Sequence, residues 1–502
     1  MKPPAHFLRA TAARCHAVIA AAVALAAAPG LALAAALLST FPTAAHARDL
    51  WTVYQTALAQ DAAYRAAGYE YERARLALPL AESAFRPAVT LRGSAQHSDT
   101  GGTPAGATGN DSDQQINLNA DLRVYDRALR GAVSQAELQA EGARLRLAQA
   151  HDALIIRVAD RYFQLLAAVD GLEVARRQKA SIQRQMHLTA ERLRVGLGTE
   201  TDLLDARARF QRAVSDEIQA ADRIDNAAHA LRQITGGATV RADATGDGTT
   251  GDGTTGDAGA TDGATVDAGA DTGTVAAETT TENLAPLADD APLPAPDPAA
   301  PGAWIAKALA DNLGVRVATI DLAIARLEVT RQRAARWPNL TVSAGQRWRD
   351  SSAPPPSETD TTSVTATLNW PLHQRGAVHL RARQAAFQVN AAEQRLEERR
   401  RQVAADAASA YRAVASGISR VEALAEAVRA GAGSLRAKQD GFRAGLTTNI
   451  DVLDAQRDLS RSRTDYLGAR YDFIRAALRL ERDAGDLDEA DLRRVNAWLE
   501  RD

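Results

Sequence analysis

The chain has 502 residues, a formal net charge of −3, one cysteine and 5% aromatic residues. A hydrophobic share of 46% is enough for a folded core and excludes wholesale disorder. One cysteine excludes a disulfide framework and Cys-rich metal sites, and the near-neutral charge argues against nucleic acid as a partner.

Residues 1–47 have the pattern of a signal peptide. Basic residues come before an alanine-rich apolar stretch, which ends in a small-x-small cleavage signature at Ala45–Ala47. The alternative is a retained membrane helix, but Pro29 and Gly30 interrupt the stretch. The sequence therefore predicts an exported chain whose mature part starts at Arg48 and lacks cysteine.

A helical stretch from Leu50 to Phe85 opens the mature chain and ends before a proline. Alternating apolar and polar residues follow at 89–96 and again at 116–123, with a polar loop between them. A period of two predicts β-strands with one apolar and one polar face. An ordinary soluble hairpin packed on helices is the alternative, although neither half offers a third strand to cover the apolar face.

A very long helix is predicted next, from Arg127 to Arg194, because this stretch contains no proline and few glycines. At 1.5 Å per residue it would be roughly 100 Å long. A glycine turn and a return helix, Asp202 to Ile234, follow. Long alanine-rich helices joined by short turns predict coiled-coil-like packing.

Residues 236–301 differ in composition from the rest of the chain. Aspartates recur every five residues among Gly, Thr and Ala, and twelve acids face one base between Arg241 and Asp297. Such a segment cannot bury enough apolar surface to fold, so we predict a flexible acidic linker. A calcium-binding repeat is the alternative, but its nonapeptide pattern is absent, and no metal site is predicted.

The second half of the chain repeats the plan of the first. The run 195–206 echoes 444–455 at an offset of 249, and Tyr162 and Tyr411 keep the same offset. A shift this constant indicates an internal duplication. The predicted boundaries for signal, first repeat, linker, second repeat and C-terminal tail are 1–47, 48–235, 236–301, 302–487 and 488–502.

Four strands per chain are too few to close a barrel, which needs about eight. Three chains would supply twelve strands, and strands of about ten residues suit an outer membrane. The predicted fold is mainly α with a small β part. Its duplicated long α-helical hairpins would form a periplasmic tube, and its four strands per chain would enter a 12-stranded trimeric barrel.

Five motifs accompany the duplication, each weak alone and specific together. They are Arg86-Pro87 with Trp337-Pro338, Ala159–Phe163, Arg194–Leu197 followed by Thr201-Asp202, Leu231–Gly236, and Ile450–Ala455. In these motifs the sequence resembles the TolC-like outer membrane efflux proteins, the trimeric channel-tunnels of tripartite exporters. The resemblance implies a homotrimer in the outer membrane of a Gram-negative bacterium. Its implied partners are lipid, a periplasmic adaptor and an inner-membrane transporter.

The resemblance also implies that the glycine turns are the periplasmic tips, where the channel closes and the adaptor docks. An exposed leucine on a turn is unusual without a partner, which favours docking. The alternative is that the glycines only supply left-handed turn geometry. The predicted docking residues are Val195, Gly196, Leu197, Gly445 and Leu446.

Asp451 and Asp454 match the family's two acidic positions at the constriction. They are three residues apart and share one helix face, so three chains would bring six carboxylates to the axis. Such a ring would make the pore cation-selective, and like-charge crowding would raise the pKa of some carboxyls. The alternative for Asp451 is a helix N-cap or first-turn acid.

The first half has Thr201, Asp202 and Asp205 at the equivalent place. The family links its hairpins through the first of these aspartates, a tyrosine and an arginine. Phe442 and Thr447 stand at the last two positions here and cannot make the family's bonds. The closed state is therefore expected to use another residue, and three nearby arginines are candidates: Arg192, Arg194 and Arg443.

The favoured function is type I secretion of a polypeptide, such as a toxin or protease, with an ABC transporter. The alternative function of the channel is multidrug or metal efflux with a proton-driven pump. A structural periplasmic coiled-coil protein is the alternative of another class. No metalloprotease, nucleophile or phosphate-loop motif occurs, so we predict neither an enzyme nor a cofactor.

Overall fold

The computed structural model describes residues 48–100, 109–236, 284–352 and 356–500. The predicted signal peptide and the linker up to residue 283 lie outside these ranges. The described chain is mainly helical with one four-stranded sheet, which confirms the predicted fold class. None of the helices in these ranges combines the length and the apolarity needed to cross a membrane.

Both halves follow the same order of elements. The first half contains α1 Leu50–Gln60, α2 Ala62–Arg75, α3 Ala77–Ser83, β1 Ala88–Thr100, β2 Gly109–Tyr125, α4 Arg127–Arg194 and α5 Glu200–Thr235. The second half contains α6 Pro301–Asp311, α7 Leu313–Ala334, β3 Asn339–Ser351, β4 Ser357–Asn369, α8 Ala377–Arg443 and α9 Asn449–Ala484, and α10 Glu489–Asn496 follows it.

The first helical stretch of each half is broken, at Asp61 and at Asn312. The Asp61 carboxylate accepts a hydrogen bond from the Tyr64 N–H at 2.7 Å. The Asn312 side chain accepts one from the Gly314 N–H at 2.9 Å. A side chain that caps a new helix holds its own backbone in the extended region, which ends the previous helix. The predicted helical stretch of each half is thus divided into shorter helices.

The four strands form one antiparallel sheet in the order β1-β2-β3-β4, so the hairpins of the two halves pair directly. Apolar residues face each other across all three pairings, as the alternation predicts. The pairs include Leu91 with Leu118, Ile116 with Trp348, and Leu340 with Leu368. This apolar face is exposed in the single chain, and within the described residues β1 and β4 each leave one edge unpaired.

Each half also contains one long helical hairpin. Helix α4 has 68 residues and α8 has 67, and each is followed by a return helix of 36 residues. Helix α4 begins where the Asp126 carboxylate accepts from the N–H groups of Ala128 and Leu129. Its length is roughly 100 Å at 1.5 Å per residue.

The main core lies midway along α4, where α1, α9 and α10 pack against it. Apolar side chains at helical spacing form one buried stripe on α4. Phe163 stacks on Tyr471 of α9 with ring centroids 5.6 Å apart. The Tyr471 hydroxyl donates to the Asp170 carboxylate at 2.5 Å, and burial raises the pKa of Asp170. The buried stripe is Leu154, Ile155, Val158, Tyr162, Leu165 and Leu166.

Residues 284–300, here called the strap, pack against this core. Leu284 forms a parallel bridge with Arg48, and Leu287 an antiparallel bridge with Leu499. The Tyr162 hydroxyl donates to the Ala285 carbonyl at 2.9 Å. Because Ala285 and Leu287 are buried and the backbone is paired, the prediction of a solvated linker as far as residue 301 is wrong for the strap.

The C-terminal tail also packs on the core. The Asp488 carboxylate caps α10 by accepting from the N–H groups of Ala490 and Asp491. Leu492 and Val495 of this helix are buried in the main core. The tail therefore fixes the strap from one side through Leu499.

Candidate functional site

Both hairpins turn through a glycine with positive φ, at Gly196 (+78°) and Gly445 (+77°). The Leu197 N–H then donates to the Arg192 carbonyl at 2.8 Å, which closes the last turn of α4. Leu197 is 71% exposed and Leu446 is 83% exposed, and Val195 is exposed as well. The turns thus need their glycines for geometry and also present apolar side chains to solvent.

Each return helix begins with a capping box. The Asp451 carboxylate accepts from the Thr448 N–H at 3.0 Å and from its hydroxyl at 2.5 Å. Asp202 and Thr199 repeat this arrangement in the first hairpin. The hydrogen bond from the Thr448 hydroxyl lowers the pKa of Asp451. Asp451 is therefore a first-turn acid, the structural role that the sequence left open for it.

Asp454 lies one turn further along α9, on the same partly exposed face. The Arg209 guanidinium of α5 donates to its carboxylate at 2.8 Å and to that of Asp205 at 3.0 Å. The hydrogen bond from Arg209 lowers the pKa of Asp454. Within one chain this is opposite to the rise expected from like-charge crowding, because a cation pairs with the carboxylate.

Arg192 alone among the three candidate arginines crosses to the other hairpin in the described structure. Its guanidinium donates to the Phe442 carbonyl at 2.8 Å and lies 4.5 Å from the centroid of the Phe442 ring. Arg194 pairs with Glu191 of its own helix. Arg443 likewise stays on its own helix, where its partner is Asp440.

Thr447 and Thr201 take no part in these contacts between the hairpins. The Thr447 hydroxyl donates to the Lys438 carbonyl at 2.9 Å, within its own hairpin. Thr201 is exposed in the first turn of α5. The Asp202 carbonyl accepts from the Asn449 amide at 3.5 Å, so Asp202 meets the second hairpin through its backbone.

The sequence interpretation missed two bridging residues, Arg209 and Gln185. The buried Gln185 amide donates to the Asn449 side chain at 2.7 Å and joins α4 to α9. No sequence signal identifies either residue, because arginine and glutamine are ordinary helix residues. Their partners lie 245 and 264 residues away along the chain.

The described residues of this site offer charge, hydrogen bonding and apolar contact. Within the described ranges, no three His, Cys, Asp or Glu side chains are grouped to hold a metal ion. The site therefore consists of two exposed apolar turns, polar contacts that join the hairpins just behind them, and a small apolar cluster in which Leu453 packs against Ile182 and Ala206.

The sequence model of the family described as "Outer membrane efflux protein" matches residues 53–237 and 304–486. The outer membrane protein TolC of Vibrio cholerae is 29% identical over 477 residues, which cover 92% of this chain and 97% of that protein. The alkaline protease secretion protein AprF of Pseudomonas aeruginosa is 28% identical over 466 residues, 90% of this chain and 88% of that protein.

A solved structure, the Campylobacter jejuni CmeC outer membrane channel, superposes with a TM-score of 0.68 at 14% identity. The alignment covers 90% of each chain, so the likeness extends over nearly the whole fold. The family match spans both halves and more than half of the chain. This chain therefore belongs to the outer membrane efflux protein family.

Proposed function

We propose that this outer membrane efflux channel secretes a polypeptide, such as a toxin or protease, with a periplasmic adaptor and an inner-membrane ABC transporter. Family membership makes the chain a transport component of the Gram-negative outer membrane rather than an enzyme. One observation carries the choice of cargo: two relatives that align with at least 90% of this chain are named for protease secretion.

We propose a homotrimer as the working form. The sheet has an exposed apolar face and two unpaired edges within the described residues, and such edges invite further pairing. Pairing β4 of one copy with β1 of the next would join twelve strands from three copies. Lipid would then cover the apolar face, where Val364 is 75% exposed in the single chain.

The closed state is proposed to depend on three contacts between the hairpins: Arg192–Phe442, Arg209–Asp454 and Gln185–Asn449. These polar contacts lie beside a small apolar cluster, in which Leu453 of α9 packs with Ile182 of α4 and Ala206 of α5, whereas the main core is a much larger apolar cluster. Water can hydrogen-bond to the polar groups when they separate, and the small cluster exposes less apolar surface than the main core would, so parting the tips costs less free energy than parting the core. Asp451 and Asp454 would face the lumen at the constriction of the trimer.

The tips are proposed to dock the periplasmic adaptor. Leu197 and Leu446 lie at the ends of the two hairpins and are strongly exposed. An apolar side chain on a tight turn gains free energy when a partner removes it from water. The turns bring one such leucine to the end of each hairpin, which suits a partner that contacts both.

Deleting the gene in its host tests whether the exported cargo is a polypeptide. Loss of one or more polypeptides from the culture supernatant, with unchanged drug and metal tolerance, supports secretion. Hypersensitivity to drugs or metals, with unchanged polypeptides in the supernatant, would instead favour efflux with a proton-driven pump. Heat-modifiable trimers in the outer-membrane fraction are expected, whereas a monomer in the soluble periplasm would favour the structural coiled-coil alternative.

The docking tips are tested in the complemented strain. The double variant Leu197→Asp with Leu446→Asp should still form trimers but should abolish export and adaptor cross-linking. Leu188→Asp is the matched control, because Leu188 is an exposed leucine of α4 outside the turn. Export that survives the double variant would refute docking at the tips.

A further inference from the structure

The two acidic positions of the second hairpin differ in their surroundings. Asp451 is held by Thr448 of its own turn, and the described part of the chain places no cation within 4 Å of it in an ion pair. Asp454 receives the Arg209 guanidinium at 2.8 Å. Arg457 adds a second, looser cation at 3.8 Å from the same oxygen. Asp454 is therefore paired with cations, whereas Asp451 is paired only with a neutral side chain and backbone group.

The cation that neutralises Asp454 comes from the other hairpin. Arg209 lies on α5, where it also pairs with Asp205 four residues earlier at 3.0 Å. The pair with Asp205 lies within one helix and stays intact when the hairpins move apart. The pair with Asp454 joins α5 to α9 and breaks when they separate.

We infer that Arg209 is a specificity-determining residue, which sets the free charge at the constriction and links that charge to opening. The inference rests on the proposed trimeric channel. In the closed trimer Arg209 supplies the nearest cation to the three Asp454 carboxylates, whereas Asp451 is hydrogen-bonded to Thr448. When the hairpins part, Arg209 remains with Asp205, and each Asp454 carboxylate keeps only the looser Arg457 at 3.8 Å. Preference for cations therefore increases as the channel opens.

Single-channel recording in planar bilayers tests this inference. Under a KCl gradient, the reversal potential gives the ratio of K⁺ to Cl⁻ permeability. Arg209→Gln should raise this ratio about twofold, because it takes the cation at 2.8 Å away from Asp454 in each chain and so adds three negative charges at the constriction. Arg209→Lys keeps the charge and should keep the ratio near that of the wild type. Arg207→Gln is the matched control, since Arg207 is exposed on the same helix.

A further variant separates charge from hairpin contact. Arg209→Gln combined with Asp454→Asn removes both members of the pair and should return the ratio to the wild-type value. An unchanged ratio in Arg209→Gln, or higher conductance without a change in ratio, overturns the inference and leaves the proposed function standing. If wild-type trimers form no channels, the proposed function fails and this inference fails with it.

Discussion

Replacing Arg192 with alanine should favour the open channel. Its guanidinium makes two contacts with one residue of the other hairpin, a hydrogen bond of 2.8 Å to the Phe442 carbonyl and a contact with the ring at 4.5 Å. Phe442 is 9% exposed, so its ring is shielded from water on the other sides. Alanine removes both contacts and leaves the α4 backbone intact, because alanine is a good helix former.

The size of the effect follows from the two contacts. A protein hydrogen bond contributes about 1 kcal/mol net, and a cation–π contact at a partly exposed site contributes about 1 kcal/mol. Together they give about 2 kcal/mol per chain in favour of the closed state. Since 1.4 kcal/mol is a factor of ten, the equilibrium between joined and parted hairpins should shift roughly thirtyfold in each chain.

Conductance in planar bilayers and uptake of a large antibiotic by intact cells would both measure this shift. Arg194→Ala and Arg443→Ala are matched controls, because these arginines pair only within their own helices in the described structure. Both controls should behave like the wild type. An Arg192→Ala channel that opens no more often than the controls would refute the reasoning. Phe442→Ala and the double variant in the same assay complete a double-mutant cycle for the ring contact, since alanine keeps the carbonyl at position 442.

Two further predictions concern stability. Gly485→Ala should lower the melting temperature of the trimer. Gly485 has φ of +82°, a left-handed backbone that costs alanine about 1–2 kcal/mol. The added Cβ would also lie only 2.6 Å from the Asp311 carbonyl carbon. Gly468→Ala, where nothing lies within 4 Å of the added carbon, should not lower it. Burial raises the pKa of Asp170 above 3.8, so the folded chain retains a proton that the unfolded chain loses. Wild-type stability should fall as the pH rises from 3.8 through the raised pKa, Asp170→Asn should lack this fall, and urea unfolding across that range would measure the difference.

The fold was predictable because its signals are local and repeated. Period-two alternation marked each strand, and the absence of proline between Arg127 and Arg194 gave the first long helix its observed bounds. The strap was not predictable in this way. Ala285 and Leu287 are isolated apolar residues in a segment rich in Pro, Ala and Asp, and only the core that receives them reveals their role.

The sequence predicted which residues lie at the candidate site but not which of them contact each other across the two hairpins. The turn sequence pointed to the tips and to three arginines near them, but it could not choose among the three. Arg192 and Arg194 are two residues apart, which places them on nearly opposite sides of a helix. Which side meets Phe442 depends on how the hairpins pack, and so does the pairing of Arg209 with Asp454.

The strap lies midway along α4 and pairs with both ends of the described chain. Arg48 and Leu499 pair with it directly, and Leu284 of the strap is the first described residue after Gly236. Tyr162, which binds the strap, lies about 50 Å along α4 from each end of that helix. A fluorescent reporter or affinity tag fused after Leu499 would therefore be attached far from both the strands and the tips. Such fusions offer a handle for purification or imaging that leaves both working ends of the channel unobstructed.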